Sequence, residues 1–304
     1  MKRKINKVFV LGGSGFIGKH LLEELNKDDL DIKCLVNQSP LSIESSKIQL
    51  IRSSLTQFDW KSLGSNVPDV IIHTARLSGR DKRERKEVAC YNAVANQRML
   101  DWLSALVSPP LLIFVSGTLV YGSKGDHKAN ENSHLNPISF QREYFEAEKP
   151  ILEALRKRSI PVMIVRPCWV YGPGSWLQAF YLDTLEKKNK IPQYGYGNNY
   201  MPIVHVRDCA GMIKYLAYQG EAGNIYNLFS QNTLTQKEFV SILAKLTKKK
   251  VCKKSLTAMR IRYGHAVYEA FASSLKLETI HPDIFTDYTY YYPGIEDGLK
   301  DILN

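Results

Sequence analysis

The stretch "VFVLGGSGFIGKHLLEEL", Val8 to Leu25, decides how the rest of the chain is read. A short apolar run ends in glycine, and an amphipathic segment from about Phe16 to Leu25 follows. Gly12, Gly15 and Gly18 stand in a G-x-x-G-x-x-G arrangement between this strand and this helix. The first glycine permits a tight turn, the second lets the backbone approach a pyrophosphate, and the third lets helix and strand pack closely. The helix N-terminus then offers unpaired N–H groups and positive potential to phosphates. The segment predicts a dinucleotide site at Gly12, Gly15, Phe16, Ile17 and Gly18.

Beyond this turn, short apolar runs alternate with amphipathic segments. "DIKCLV", "KIQLIRS", "DVIIHTA", "LLIFVSG" and "PVMIVRP" read as strands, with helices over "EVACYNAVANQRMLDWLSAL" and around 139–157. Strands that are apolar throughout suit a parallel sheet covered on both faces. Right-handed crossovers then give a doubly wound, Rossmann-type α/β fold. After Gly172 the pattern changes to Tyr, Gly and Asn, and the last 50 residues are rich in aromatics. The expected organisation is a dinucleotide-binding domain over 1–171, rejoined by 203–228, and a smaller C-terminal substrate lobe from 172–202 and 229–304. The segment "IVHVRDCAGMIKYLAY" reads as a strand and helix returning to the main domain.

Composition sets outer limits. A chain of 304 residues with 44% apolar and 23% charged residues can bury a sizeable core. No apolar run reaches the roughly 18 residues of a bilayer span. The opening "MKRKINKVFVLGGSGF" imitates a leader, but its four-residue apolar run ends in glycines, so the expectation is a cytoplasmic protein with no membrane partner. The five cysteines lack C-x-x-C or metal-ligand spacing; four lie in apolar-rich segments and read as buried free thiols, and no metal is expected. The net charge of +11 gathers in "RDKRERK" (80–86), "EKKNK" (186–190) and "KKKVCKK" (248–254), read as solvated faces able to steer anions. No zinc finger, helix-turn-helix or aromatic RNA-binding signature accompanies it, so nucleic acid is not expected as a partner.

The end of the second strand commonly separates NAD from NADP, because a carboxylate there accepts from the ribose 2′-hydroxyl. Here "CLVNQSP" offers Asn37 and Gln38, with neither a carboxylate to repel a 2′-phosphate nor an arginine to hold one. The reading is NADP or NAD, with NADP favoured and Asn37 beside the adenosine ribose.

Together, "GGSGFIG" (12–18), "DVIIHTA" (69–75), Asn92 in "CYNAVAN", "IFVSGTLVYG" (113–122), "NPISFQREYFEAEK" (136–149), "RPCWVYGPG" (166–174), "VHVRDCA" (204–210) and "GNIYNL" (223–228) resemble the extended short-chain dehydrogenase/reductase superfamily, in its NAD-dependent epimerase/dehydratase group. The resemblance places Ala75 and Pro167 at the cofactor and implies a homodimer. It also implies a Ser, Tyr and Lys that exchange a proton while the nicotinamide exchanges hydride. Those three positions fall on Gly117, Phe140 and Tyr144, so each has lost its usual side chain. Tyr144 and Lys149 lie five apart on a helix and do not share a face. Tyr144 either reaches the cofactor ribose through its phenol or packs on Phe140. Thr118 and Tyr144 are the catalytic candidates, with Cys168, Tyr171 and His205 as other stand-in proton carriers. The resemblance further implies a diphosphate-gripping arginine where Met201 stands, which disfavours a nucleotide-linked substrate; Arg260 and Arg262 are the available substitutes.

Three functions are compatible with this sequence. One is an oxidoreductase or epimerase/dehydratase-type enzyme acting on a small non-nucleotide metabolite with a non-standard proton donor. Another is a catalytically inactive cofactor-binding or regulatory protein. The third is a non-redox isomerase, lyase or cyclase using the same cleft.

Overall fold

A computed structural model describes the chain apart from residues 1, 42, 44, 78, 80, 81 and 232 and the side chain of residue 82. Its centre is the expected α/β arrangement, a seven-stranded parallel sheet flanked by helices. The chain enters with β1 (Lys7–Leu11), turns into α1 (Phe16–Leu25) and continues through β2 (Asp31–Val36) and β3 (Ile48–Arg52). It then crosses to β4 (Val70–His73), α2 (Lys82–Ser104) and β5 (Leu111–Val115). After α3 (Ser139–Lys157) the sheet gains strand Val162–Pro167 and finally Ile225–Leu228. The spatial order is Ile225–Leu228, Val162–Pro167, β5, β4, β1, β2, β3. The winding direction therefore reverses between β1 and β4. Such a switch point opens a crevice at the carboxyl ends of its two strands.

The strands are apolar on both faces because both faces are covered. Val8 to Leu11 and Val70 to Ile72 are fully buried. β1 pairs with β4 from Val8 opposite Val70 to Leu11 opposite His73, and β2 pairs with β3 from Ile32 opposite Ile48 to Val36 opposite Arg52. Phe9, Phe58, Trp60 and Trp102 pack against one another beside β1, Trp60 stacked on Trp102 and edge-on to Phe58.

By internal contacts the chain forms two compact units. The first comprises Met1–Ser116, Glu143–Arg166 and Ala210–Tyr226; the second comprises Gly117–Arg142, Pro167–Cys209 and Asn227–Asn304. Residues 117–142 thus group with the second unit rather than with the residues before them. Their strand Lys128–Ala129 pairs with Lys276–Leu277, and buried Glu131 accepts hydrogen bonds from the Asn227 and Ile280 amides and the Thr279 hydroxyl. The strand Ile203–His205 also departs from the sequence expectation. It joins Trp169–Tyr171 in a separate parallel pair, not the central sheet.

The second unit has its own core. Tyr171, Tyr181, Tyr194, Phe239 and Phe271 are buried together, with Trp169 and Trp176 packed against them. The aromatic enrichment after Gly172 has this physical use.

Candidate cofactor site and proton-transfer positions

In the first unit, the glycine turn follows β1 and lies against the segment that leaves β4. Gly12 has φ +84°, a left-handed conformation that favours glycine, and an added Cβ would come within 2.6 Å of the Ala75 Cα. The two strand ends are tied by backbone bonds: the Gly12 amide donates to Leu35, and the Thr74 amide and hydroxyl donate to Leu11 at 2.9 and 2.8 Å. At Gly18 an added Cβ would run into the Gly12 carbonyl and approach the Gly13 Cα to 2.8 Å, so helix and turn pack backbone to backbone. Gly15 caps α1 with extended backbone and no side-chain bond, and its amide donates to the Gly12 carbonyl at 3.0 Å. The first turn of α1 carries no acidic residue. Its leading N–H groups, from Phe16 onward, have no intrahelical acceptors. The structure thus brings Gly12, Gly15, Phe16, Ile17, Gly18 and Ala75 to one place.

Gly13 was not singled out in the sequence, yet its site is as restrictive. A Cβ there would strike the Cys34 sulfur and come within 2.6 Å of Leu22 Cδ1. Burial pushes the Cys34 thiol up to about 11, opposed by a hydrogen bond from Gly13. Asn37 follows β2 and is exposed, as is Gln38.

Behind the turn, three buried polar residues join β4, α2 and α3. His73 Nε2 is 2.9 Å from Asn96 Oδ1, and Asn96 Nδ2 donates to the Ala147 carbonyl at 2.8 Å. Burial pulls His73 down to about 4 despite that bond, so the ring is neutral at pH 7. Asn92, also buried, clamps Leu77 on both sides: Oδ1 accepts from the Leu77 amide at 2.9 Å and Nδ2 donates to its carbonyl at 3.1 Å. Ser116 donates to Glu148, whose other oxygen pairs with Arg166 at 2.6 Å. Glu148 and Arg166 are 1% and 0% exposed, so each charge depends on the other.

Tyr144, on α3, is half-buried, and the Arg76 guanidinium lies 4.0 Å from its ring centroid. Lys149 does not join it; Lys149 Nζ bonds the Glu146 carboxylate at 2.6 and 2.7 Å. Arg85, one of the basic run at 80–86, bonds Glu143 at 2.8 Å and is largely covered. That part of the run is structural rather than a solvated face, and residues 80 and 81 lie outside the described residues.

The second unit carries the remaining positions. Gly117 is extended, and an added Cβ would find nothing nearer than the Pro167 carbonyl at 3.7 Å and the Gln141 amide at 3.9 Å. A side chain therefore fits there. Thr118 is 1% exposed, and its hydroxyl has no hydrogen-bond partner among the described residues. Phe140 is half-buried near the start of α3. Cys168 and Tyr171 are buried, and burial raises both, which opposes ionisation of either. His205 packs between the Tyr171 and Tyr292 rings at 5.1 and 4.2 Å. Met201 is 2% exposed and pairs with Leu234 on an antiparallel strand. Arg260 and Arg262 are exposed on helix Leu256–Tyr263. Of the five free cysteines, Cys34, Cys168 and Cys209 are buried, while Cys90 is exposed and Cys252 intermediate, so the expectation of four buried thiols was one too many.

The parallel sheet, its switch point and the glycine turn define a nucleotide-binding α/β protein of the short-chain dehydrogenase type. The chain belongs to the NAD dependent epimerase/dehydratase family, whose model matches residues 8–228. It is 26% identical over 265 residues to YtcB of Bacillus subtilis (strain 168), described as an uncharacterized UDP-glucose epimerase, covering 80% of this chain and 83% of that one. The fold matches that of dTDP-glucose 4,6-dehydratase from Bacillus anthracis, solved with NAD, at a TM-score of 0.77 and 21% identity, over 98% and 95% of the two chains. It also matches the human epimerase family protein SDR39U1, solved with NADPH, at a TM-score of 0.78 and 19% identity, over 97% and 98%.

Proposed function

We propose that this chain binds NADP or NAD, with NADP favoured, and acts as an oxidoreductase or epimerase/dehydratase-type enzyme on a small molecule. The observation that carries the reading is the glycine turn: Gly12, Gly13 and Gly18 all sit where any side chain would strike backbone or core, and the turn opens onto a helix whose N-cap, Gly15, makes no side-chain hydrogen bond. The dinucleotide would rest its phosphates on the N–H groups from Phe16 onward, with Ala75 and Asn37 on its adenosine side and Tyr144 and Pro167 towards its nicotinamide. When bound, it would supply or take up hydride. The proton would be handled by a group other than the usual tyrosine, since Phe140 has no hydroxyl; Thr118, whose buried hydroxyl has no hydrogen-bond partner among the described residues, is the candidate.

The substrate reading follows Met201. Where the resemblance calls for a diphosphate-gripping arginine, a buried methionine pairs in a strand, which favours a small metabolite without a nucleotide handle. The names of the relatives point towards nucleotide sugars, so both substrate classes belong in the assay. A homodimer in the cytoplasm completes the proposal; among the described residues no helix is long and apolar enough to cross a membrane.

A second reading is a cofactor-binding protein without turnover, favoured by Gly117, Phe140 and Tyr144 at the three proton-handling positions. Titration with NADPH and NADH, followed by tryptophan fluorescence, tests the shared premise. Saturable binding of at least one is expected, and no binding of either at millimolar concentration defeats both readings. Turnover of bound NADPH or NADP with a panel of small ketones, alcohols and nucleotide sugars then separates enzyme from binder.

A further inference from the structure

We propose that Arg76 is the cation that holds the cofactor's diphosphate and adjoining ribose in this chain, and that Tyr144 serves as the plate on which it is oriented. The inference rests on the dinucleotide-binding reading above and deepens it.

The backbone on either side of Arg76 is fixed. On its N-terminal side, Ala75 abuts Gly12 so closely that a methyl group on the glycine would meet it at 2.6 Å. On its C-terminal side, both hydrogen-bonding groups of Leu77 are taken by buried Asn92. Arg76 is thereby held at the carboxyl edge of β4, next to the turn where phosphates would settle. Its side chain is exposed, but its guanidinium is 4.0 Å from the centroid of the Tyr144 ring. Stacking on an aromatic face engages the flat side of a guanidinium and leaves the N–H groups at its rim for oxygen acceptors. Tyr144 is itself anchored, since the preceding Glu143 is paired with Arg85. Two fixed backbone neighbours and a ring therefore restrain the Arg76 guanidinium, in the segment whose Ala75 packs on the glycine turn. A planar, permanently charged fork suits a diphosphate or a vicinal diol better than a point charge does.

The arrangement also reinterprets Tyr144. Its ring face, not its hydroxyl, is the working part. A lysine at 144 would place a second cation against Arg76.

Dinucleotide titration of Arg76→Gln, Arg76→Lys, Tyr144→Phe and Tyr144→Ala tests this, with circular dichroism and urea midpoints to confirm folding. Arg76→Gln is expected to weaken NADPH binding by about tenfold or more and to flatten its dependence on NaCl. Arg76→Lys is expected to fall in between. Tyr144→Ala should lose several-fold, and Tyr144→Phe, which keeps the ring, should lose clearly less than Tyr144→Ala. ADP should lose affinity in Arg76→Gln and AMP should not, which places the contact at the diphosphate end. If the parent protein binds NADPH and folded Arg76→Gln binds equally well, the assignment to Arg76 fails while the cofactor reading stands. If Tyr144→Phe loses as much as Tyr144→Ala, the phenol is the contact and the plate idea fails. If the parent binds no dinucleotide, the cofactor reading itself is gone.

Discussion

A single methyl group probes the glycine turn. In Gly18→Ala the methyl would be driven into the Gly12 carbonyl and towards the Gly13 Cα at 2.8 Å, and neither is the movable end of a side chain. The expected cost is about 1–3 kcal/mol in urea unfolding, together with loss of dinucleotide binding. Gly117→Ser is the counterpart. With no atom within 3.7 Å of its Cβ, it should change stability by no more than about 0.5 kcal/mol. A Gly18→Ala protein as stable as the parent contradicts the packing described for the turn. A strongly destabilised Gly117→Ser contradicts the open space assigned to that position.

Between elements, buried polar groups set the conditions of stability. His73 is pushed down to about 4 by burial, from an ordinary value of 6.5. The unfolded chain therefore binds a proton that the folded chain refuses, and stability falls as pH drops below 6.5. The slope is about 1.4 kcal/mol per pH unit, summing to about 3 kcal/mol near pH 4. Replacing His73 with Gln should remove that component, seen as a shallower fall of unfolding free energy between pH 7 and 5; an unchanged slope means the ring is not held neutral. The Glu148–Arg166 pair gives a second test. Arg166→Met alone strands a buried carboxylate and should cost about 3–5 kcal/mol, and Glu148→Leu added to it should recover most of the loss. If the double variant is no more stable than the single one, the two charges are not coupled.

These elements differ in how legible they were in the sequence. α1 and α3 fall on the ranges read from periodicity, and β2 on "DIKCLV", because each is long or bounded by glycine, proline or polar residues. The sheet follows from apolar runs that satisfy both faces. The glycine turn was legible at Gly12, Gly15 and Gly18 because their spacing carries the signal. Gly13 was not, since its reason is the Cys34 side chain one strand away. Arg76 was missed for the same kind of reason: it directly follows "DVIIHTA", but nothing local says that its partner is Tyr144. The strand Ile203–His205 looked like a member of the main sheet because three apolar residues do not specify which neighbour they will pair with.

Over the whole molecule, the final residues are the least family-like part of the chain and yet are firmly engaged within the second unit. Asp208 is 1% exposed and accepts from the Tyr291 and Tyr292 amides at 2.7 and 3.1 Å, while Arg207 stacks on the Tyr291 ring at 4.7 Å. Asp208→Asn should therefore cost about 1.5–3 kcal/mol, the range for a hydrogen bond to a charged group. Deleting residues 288–304 should remove these bonds and uncover Tyr171 where Gly298 now packs. The expected result is a lower thermal midpoint with a separate early transition from the second unit, read by calorimetry. A deletion variant with the parent's melting profile rules out a structural role for this tail.

Both units are stitched from three separated stretches of chain, the first needing residues up to Tyr226 and the second needing the C-terminus. During synthesis, the strand Val162–Pro167 emerges well before Ile225–Leu228 comes to cover its edge. A ribosome therefore carries an unfinished sheet with an unsatisfied border until Ile225–Leu228 has emerged. Such a border is a template for illicit pairing with neighbouring nascent chains, and slower growth or chaperone capture over that interval should raise the yield of soluble protein.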